Sequence, residues 1–206
     1  TAIRAGIRFV HQELSLCGSL SIAENLHLGS YLAGRSGFIN KRAIETHARE
    51  VLAEVGLAEF DPGQPVGTLR AGEQQLIEIA KAISTTPRVL ILDEPTSSLT
   101  PFEAQRLFDC VHRLAADGCA VIFITHRLEE ALAQCDRIVV LRDGGLISNE
   151  LARETTQERL IQDMVGRESI FEFQPRRAIA AAQPRLRVEG LTDGAVLSPV
   201  SLTVAP

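Results

Sequence analysis

Residues 89–100 read VLILDEPTSSLT, and this stretch decides the expected fold. Its first four residues form an unbroken apolar run, typical of a strand buried on both faces of a parallel sheet. Asp93 and Glu94 follow at once, and Pro95 ends the strand. Ligands of open α/β sheets bind at the carboxyl ends of strands, so this acid pair can hold a metal ion and polarise a water. The alternative is a core strand that ends in a solvated acidic turn.

Length and composition predict one packed α/β domain, and the length leaves room for part of another. The chain has 206 residues, of which 45% are hydrophobic, 23% charged and 4% aromatic. A net charge of −5 argues against a nucleic-acid surface. We find no apolar stretch of transmembrane length and no signal-peptide pattern, so we expect any membrane to be reached through a partner protein.

Cysteine usage predicts a reducing compartment. The four cysteines show no CxxC pairing and no nearby histidine at zinc spacing. We therefore expect buried, reduced thiols, as in a cytosolic protein. The residues are Cys17, Cys110, Cys119 and Cys135.

Three further segments carry polar motifs in a fixed order. They read FVHQEL at 9–14, LRAGEQQ at 69–75 and IFITHRL at 122–128. His126 follows an apolar run, as Asp93 and Glu94 do, so one edge of a sheet can hold all three. Taken alone, His126 is typical of a structural histidine and Gln12 of a solvated loop residue.

In order, these segments resemble the Q-loop, signature motif, Walker B motif, D-loop and H-loop of an ABC-type ATPase. The resemblance is closest to the first nucleotide-binding cassette of the fused two-cassette ATPases of bacterial carbohydrate importers (ribose, galactose, arabinose or xylose type), and it covers nearly the whole chain. It implies an α/β fold, an ABC-type P-loop NTPase cassette with a RecA-like parallel-sheet core and a helical subdomain. The family also requires a GxxxxGK[ST] phosphate loop, which the 206 residues lack. We therefore expect a fragment truncated at the N-terminal end of the cassette.

The same resemblance and the composition predict the domain organisation. We expect residues 1–166 to form the cassette, with the helical subdomain at about 13–86 and the core at about 87–166. Residues 167–185 contain two prolines and an alanine-rich run with arginines, a composition typical of a linker. Residues 186–206 alternate apolar and polar positions and resemble the start of a second cassette.

Capping patterns predict where helices begin. Capping boxes occur at Ser21–Glu24 and at Thr100–Glu103, and Asn40 is a candidate N-cap. The helix after Asn40 places its apolar residues on one face, namely Ile44, Ala48, Val51, Leu52 and Val55. In the family this helical segment docks onto the permease; an ordinary helical insertion is the alternative.

The chemistry that the resemblance implies is ATP hydrolysis at the γ-phosphate, which needs positioning and charge neutralisation more than covalent help. Asp93 and Gln12 are the expected ligands of Mg²⁺, which prefers oxygen. Glu94 polarises the attacking water, and His126 contacts the γ-phosphate and holds the water and Glu94 in register. The expected ATP-binding residues are Gln12, Leu69, Arg70, Ala71, Gly72, Glu73, Ser98 and Leu99.

Arg70 departs from the family pattern, which usually has serine at this position of the signature. The expected helix start offers backbone N–H groups to a phosphate, and Gly72 allows close approach. In the family this loop meets ATP held by the opposite cassette. Arginine is longer than serine and cationic, and Glu73 adds a negative charge beside an anion. We expect a less efficient composite site; the alternative is that Arg70 is a solvated loop arginine.

Three functions follow from these observations. The first is the ATPase subunit of a sugar or polyol importer, peripheral on the cytoplasmic face of the inner membrane. Its expected partners are integral-membrane permease subunits, a second cassette in the same chain and, indirectly, a periplasmic solute-binding protein; no nucleic acid is expected. The second is a non-transport ABC-type ATPase of DNA repair or translation, which needs basic surfaces, zinc-binding insertions or coiled coils. The third is a catalytically weakened regulatory cassette, which Arg70 favours and the Glu94 and His126 pair disfavours.

Overall fold

The computed structural model describes residues 2–28, 40–166, 186–192, 194 and 198–204. The chain forms two compact units, residues 1–166 and residues 167–206. Gly34 and Gly37 predict a loop over residues 34–37. This loop and the linker predicted at 167–185 lie outside the described residues. Of the helices that the structure describes, none combines the length and the apolar character that crossing a membrane requires.

The first unit contains both helices and strands. In order, its elements are β1 (Ile7–Val10), α1 (Ile22–Leu26), α2 (Lys41–Glu54), α3 (Ala71–Ile83), β2 (Val89–Asp93), α4 (Pro101–Ala116), β3 (Ala120–Ile124), α5 (Leu128–Gln134), β4 (Arg137–Arg142), β5 (Gly145–Leu151) and α6 (Gln157–Val165). Short 3₁₀ turns lie at Ala2–Ala5, Val66–Thr68 and Ala152–Glu154. The described part of the second unit contains an antiparallel pair, β6 (Leu186–Leu191) and β7 (Val200–Val204). That this pair begins a second cassette stays a prediction.

The sheet that organises the first unit is parallel and has the strand order β1-β2-β3. Ile7 pairs with Val89, and Val89 pairs with Ala120 on the other side. The predicted α/β class with a parallel sheet is therefore confirmed. Because the three strands run in the same direction, their carboxyl ends meet at one edge, where ligands of such sheets bind.

Burial of β2 on both faces was predicted, but the structure buries one face fully and the other only in part. Leu90 and Leu92 are fully buried, whereas Val89 and Ile91 are only half-buried. On β3 one face is more exposed than on β2, since Ile122 is 49% exposed and Ile124 is 44% exposed. The face that bears Leu90 and Leu92 joins the hydrophobic core with the helices, including Leu107 of α4. An apolar run shows that a strand has at least one buried side, but it does not show which faces are covered.

The predicted helix starts are confirmed, and each has a side-chain cap. The Ser21 hydroxyl accepts from the Glu24 N–H, and the Thr100 hydroxyl accepts from the Glu103 N–H. In each case the glutamate returns a bond to the cap backbone, completing the capping box. The side chain of Asn40 caps α2. Such caps each stabilise a helix by about 0.5–2 kcal/mol.

The apolar faces of the long helices follow the helical spacing of their apolar residues. In α2 the buried residues are Ile44, Ala48, Val51 and Leu52. In α3 they include Leu76, Ile79, Ala80 and Ile83. Both sets belong to one hydrophobic core with Leu90 and Leu92. The helices that precede β2 therefore pack with the sheet into a single core.

The first unit ends in a hairpin followed by a helix. Both agree with the sequence, in which Asp143-Gly144 predicts a hairpin turn and Thr155 to Glu158 predict a helix start. Asp143 and Gly144 form the turn with φ values of 51° and 76°, the left-handed pair that a type I′ turn requires. α6 is capped by the Thr156 side chain and ends at Gly166 with φ 74°.

All four cysteines are free, but only Cys110 is buried. Cys119 and Cys135 are half-buried and Cys17 is exposed, so the expectation of buried thiols is wrong for Cys17 and only partly met for Cys119 and Cys135.

Candidate functional site

Glu94 and His126 meet at the carboxyl edge of the sheet. The Nδ1 atom of His126 lies 3.0 Å from Oε1 of Glu94. Glu94 directly follows β2, and its N–H donates to the carbonyl oxygen of Ile124 at 2.9 Å, which continues the parallel ladder one residue past the strand. The side chain of His126 is 66% exposed and that of Glu94 is 30% exposed. The pair is thus fixed by the ladder but open to a ligand.

The backbone of Glu94 is strained. Its φ is 46°, in the left-handed region that residues with a Cβ rarely adopt. Such a conformation costs about 1–3 kcal/mol and persists only where the surrounding structure enforces it. The carbonyl oxygen of Glu94 accepts from the N–H of Ser97 at 3.3 Å, which closes a turn over Pro95. The turn and the ladder together hold the carboxylate beside the imidazole.

The two predicted magnesium ligands leave neighbouring strands at the same edge. Val10 pairs with Leu92; Gln12 lies two positions after Val10, and Asp93 directly follows Leu92 as the last residue of β2. Asp93 is half-buried and Gln12 is exposed. The described residues contain no group of three or more His, Cys, Asp or Glu side chains that could hold a metal ion. One carboxylate and one amide oxygen fit Mg²⁺, because this ion usually takes its other ligands from phosphates and water.

Arg70 occupies the N-cap position of α3 without a side-chain cap, and it is held by carboxylates of its own chain. Its N–H donates to Oε2 of Glu73 at 2.8 Å, and its guanidinium donates to Oε1 of the same residue at 2.6 and 3.0 Å. Oε1 of Glu103 lies 3.9 Å from the guanidinium. The guanidinium hydrogen bond lowers the pKa of Glu73, and the carboxylate in turn raises the pKa of Arg70. Donors that a phosphate could use are therefore already engaged.

Gly72 packs against the segment that follows β2. A Cβ at this position would lie 3.0 Å from the carbonyl oxygen of Ser98 and 2.9 Å from Oε2 of Glu103. These separations are shorter than ordinary van der Waals contacts, so only glycine lets the two segments approach so closely. Ala71, at the first position of α3, is exposed. Gly72 of the predicted signature thus lies beside Ser98 of the predicted D-loop.

Two of the predicted ATP-binding residues occupy packing positions. Leu69 is 7% exposed and belongs to the hydrophobic core. Leu99 packs against that core, and its N–H donates to the carbonyl oxygen of Thr96 at 3.2 Å. Since both side chains are engaged in packing, it is the backbone atoms of Leu69 and Leu99 that are left to contact a ligand.

Sequence reasoning missed a second polar cluster beside this edge. The hydroxyl of the buried Thr96 donates to Glu130 in α5 at 2.7 Å, and Glu130 also pairs with Arg127 at 2.5 Å. The spacing of Arg127 and Glu130 along a helix could have predicted their ion pair. No sequence pattern points to Thr96, because its partner lies 34 positions away.

A protein-family model matches nearly half of the chain. A model described as "ABC transporter" matches residues 1–97. These residues include β1, the helices α1 to α3, β2 and the turn that contains Glu94. The match ends before His126, whose pairing with Glu94 comes from the structure.

Comparison with curated proteins extends the likeness over nearly the whole chain. The "Ribose import ATP-binding protein RbsA" of Geobacillus kaustophilus is 44% identical over 204 residues, which is 98% of this chain and 41% of that protein. The "Arabinose import ATP-binding protein AraG" of Rhizobium etli is 42% identical over 204 residues, 98% of this chain and 40% of that protein. The chain therefore spans about two fifths of the length of the relatives it matches.

Comparison with solved structures supports the fold. MJ1267, described as an ATP-binding cassette of an ABC transporter, superposes with a TM-score of 0.63 and 25% identity. The match covers 78% of this chain and 65% of that cassette. The parallel sheet and its helices thus have a counterpart in a solved nucleotide-binding domain.

Proposed function

We propose that this chain belongs to the ABC transporter family and that its whole protein binds and hydrolyses ATP to power the import of a sugar or related small solute. The predicted fold class, an ABC-type P-loop NTPase cassette, is confirmed by the likeness to MJ1267. The observation that carries the proposal is the 3.0 Å contact between Glu94 and His126 at the sheet edge. The names of the relatives, which are ribose and arabinose import proteins, support a sugar as the solute.

Glu94 polarises the attacking water in this proposal. A carboxylate accepts a hydrogen bond from water and so raises the electron density on its oxygen. The strained turn after β2 holds this carboxylate at the ligand edge before substrate arrives. Its partial exposure leaves an oxygen accessible to a water molecule.

His126 links Glu94 to the phosphate. An imidazole that donates to the Glu94 carboxylate through Nδ1 and to a phosphate oxygen through Nε2 carries both ring protons. The positive charge of that form suits the negative charge of the γ-phosphate. The histidine thereby holds the attacking water, the Glu94 carboxylate and the γ-phosphate in fixed positions relative to one another.

Asp93 and Gln12 would hold Mg²⁺ together with the phosphates of ATP. When bound, this ion neutralises charge on the phosphoryl group that is transferred. The positions of both residues at the ends of adjacent strands support this assignment. Gln12 follows the strand on an exposed bend, so its side chain has room to approach or withdraw.

The α3 start and the D-loop serve a second cassette of the same protein. We assign to this contact the residues Leu69, Arg70, Ala71, Gly72, Glu73, Ser98 and Leu99. The close approach of Gly72 to Ser98 supports a shared surface. In this assignment the protein is peripheral on the cytoplasmic face of the membrane, bound to permease subunits and acting with a solute-binding protein.

Substitution of Glu94 tests the proposal. In the whole protein, Glu94→Gln keeps the number of bound ATP molecules and removes most turnover at this site. Glu129→Gln is the matched control, because Glu129 is exposed and loses the same charge. If Glu94→Gln leaves both the rate and the stoichiometry at wild-type values, the proposal is wrong.

A further inference from the structure

We propose that Glu130 is a positioning residue for the Glu94 and His126 pair, an inference that rests on the proposed function. The contacts form a closed ring through two segments. One segment runs from Glu94 to Thr96, and the other from His126 to Arg127. Glu130 joins their far ends, while Glu94 and His126 meet at their near ends.

The first link of the ring fixes the turn after β2. Thr96 is only 2% exposed, and its Oγ1 donates to Oε2 of Glu130 at 2.7 Å. Thr96 lies two positions after Glu94, inside the turn that gives Glu94 its left-handed backbone. A hydrogen bond from a buried hydroxyl to a carboxylate is short and strong, and it ties this turn to α5.

The second link fixes the segment that carries His126. Arg127 pairs through Nη1 with Oε1 of Glu130 at 2.5 Å, and the same nitrogen lies 3.5 Å from the carbonyl oxygen of Thr96. The N–H of Arg127 donates to the hydroxyl of Thr125 at 2.9 Å. Because Arg127 follows His126 directly, these bonds restrict where the imidazole can lie.

Glu130 is placed to perform both tasks at once. Its side chain is 14% exposed, and its two carboxylate oxygens are divided between Thr96 and Arg127. Removing the charge leaves the buried Thr96 hydroxyl without its charged acceptor, and it leaves Arg127, whose side chain is 48% exposed, without its ion-pair partner. Glu129, the neighbouring residue in α5, is exposed and is the appropriate comparison.

Because the backbone of Glu94 is strained, the position of its carboxylate depends on the contacts that Glu130 makes. A residue held at φ 46° moves toward a relaxed conformation when the surrounding contacts loosen. Displacement of a catalytic group by about 1 Å can lower a rate about 100-fold. Glu130 contacts neither the proposed water nor the phosphate, so its loss affects turnover and leaves ATP binding in place.

Steady-state ATPase kinetics of the whole protein test the inference. We expect Glu130→Gln to lower kcat about 10-fold or more while the KM for ATP changes by less than about 2-fold. Thr96→Val, which removes the hydroxyl at similar volume, has the same effect, and Thr96→Ser restores most of the rate. Glu129→Gln leaves kcat unchanged. Melting temperatures and bound-ATP stoichiometries of all variants exclude loss of folded protein as the cause.

Two results overturn the inference without touching the proposed function. One is a wild-type kcat in Glu130→Gln and Thr96→Val while Glu94→Gln abolishes turnover. The other is a loss that follows the unfolded fraction and that Thr96→Ser does not restore. An unchanged rate in Glu94→Gln instead shows that the proposed function itself is wrong.

Discussion

His126 Nδ1 lies 3.0 Å from Glu94 Oε1, although 32 positions separate the two residues along the chain. The parallel pairing of β2 and β3 brings them together, since each residue follows the end of its strand. Glu94 reaches the imidazole from a strained backbone that the neighbouring turn enforces. A contact of this kind is typical of functional sites, because a fold gains no evident stability from the strained conformation.

Arg70 gives the first prediction, an asymmetry between the proposed composite sites. Arg70→Ser in a Glu94→Gln background raises residual hydrolysis, which occurs at the site that this signature serves. Serine offers a compact hydroxyl, whereas the guanidinium is engaged by Glu73 and lies near Glu103. The residual ATPase rate of the whole protein is the measurement. A lower rate identifies Arg70 as an adapted phosphate ligand.

The second prediction concerns the 206-residue chain by itself. Isothermal titration with Mg-ATP shows no binding tighter than about millimolar, near −4 kcal/mol. The reason is that these residues contain no GxxxxGK[ST] motif to hold the phosphates. The control is the whole protein under the same conditions. Micromolar binding by the short chain contradicts the assigned position of the nucleotide.

Much of the local structure could be predicted because its causes are local. The capping boxes at Ser21 and Thr100 and the turn at Asp143 depend on residues within a few positions of each other. The parallel sheet also followed from its apolar runs. Which face of β2 is buried could not be predicted from the apolar run, because burial depends on which elements pack against the strand. The contact between Thr96 and Glu130 depends on the tertiary fold and has no local signature.

Burial on one face of β2 gives the third prediction. Leu90→Ala lowers the free energy of unfolding by about 2–5 kcal/mol, because it opens a cavity in the core. Ile91→Ala on the other face costs less, since this side chain is only half-buried. Urea denaturation of the whole protein, compared with wild type, gives both differences. Equal losses contradict the one-sided burial.

The fourth prediction is a pH dependence at the start of α3. Arg70 lowers the pKa of Glu73 from its ordinary value of 4.5, so ionised Glu73 stabilises the folded protein. This contribution is complete above pH 4.5 and is lost as the pH falls through the lowered pKa. Arg70→Ser removes the guanidinium and therefore reduces the loss of folding stability at low pH. The measurement is the free energy of unfolding from about pH 6 to about pH 3. An identical acid dependence in both proteins contradicts the pairing.

The central claim is that Glu94 and His126 act as one unit on the γ-phosphate of ATP. Single-turnover hydrolysis by the whole protein tests it directly with Glu94→Gln, His126→Ala and the double variant, all compared with Glu129→Gln. The account predicts that each single variant binds ATP but loses most of the turnover at this site. The double variant is then slower than the slower single one by no more than about 2-fold, because residues that act together are not additive. Independent losses that multiply in the double variant, or a wild-type rate in Glu94→Gln, contradict the claim.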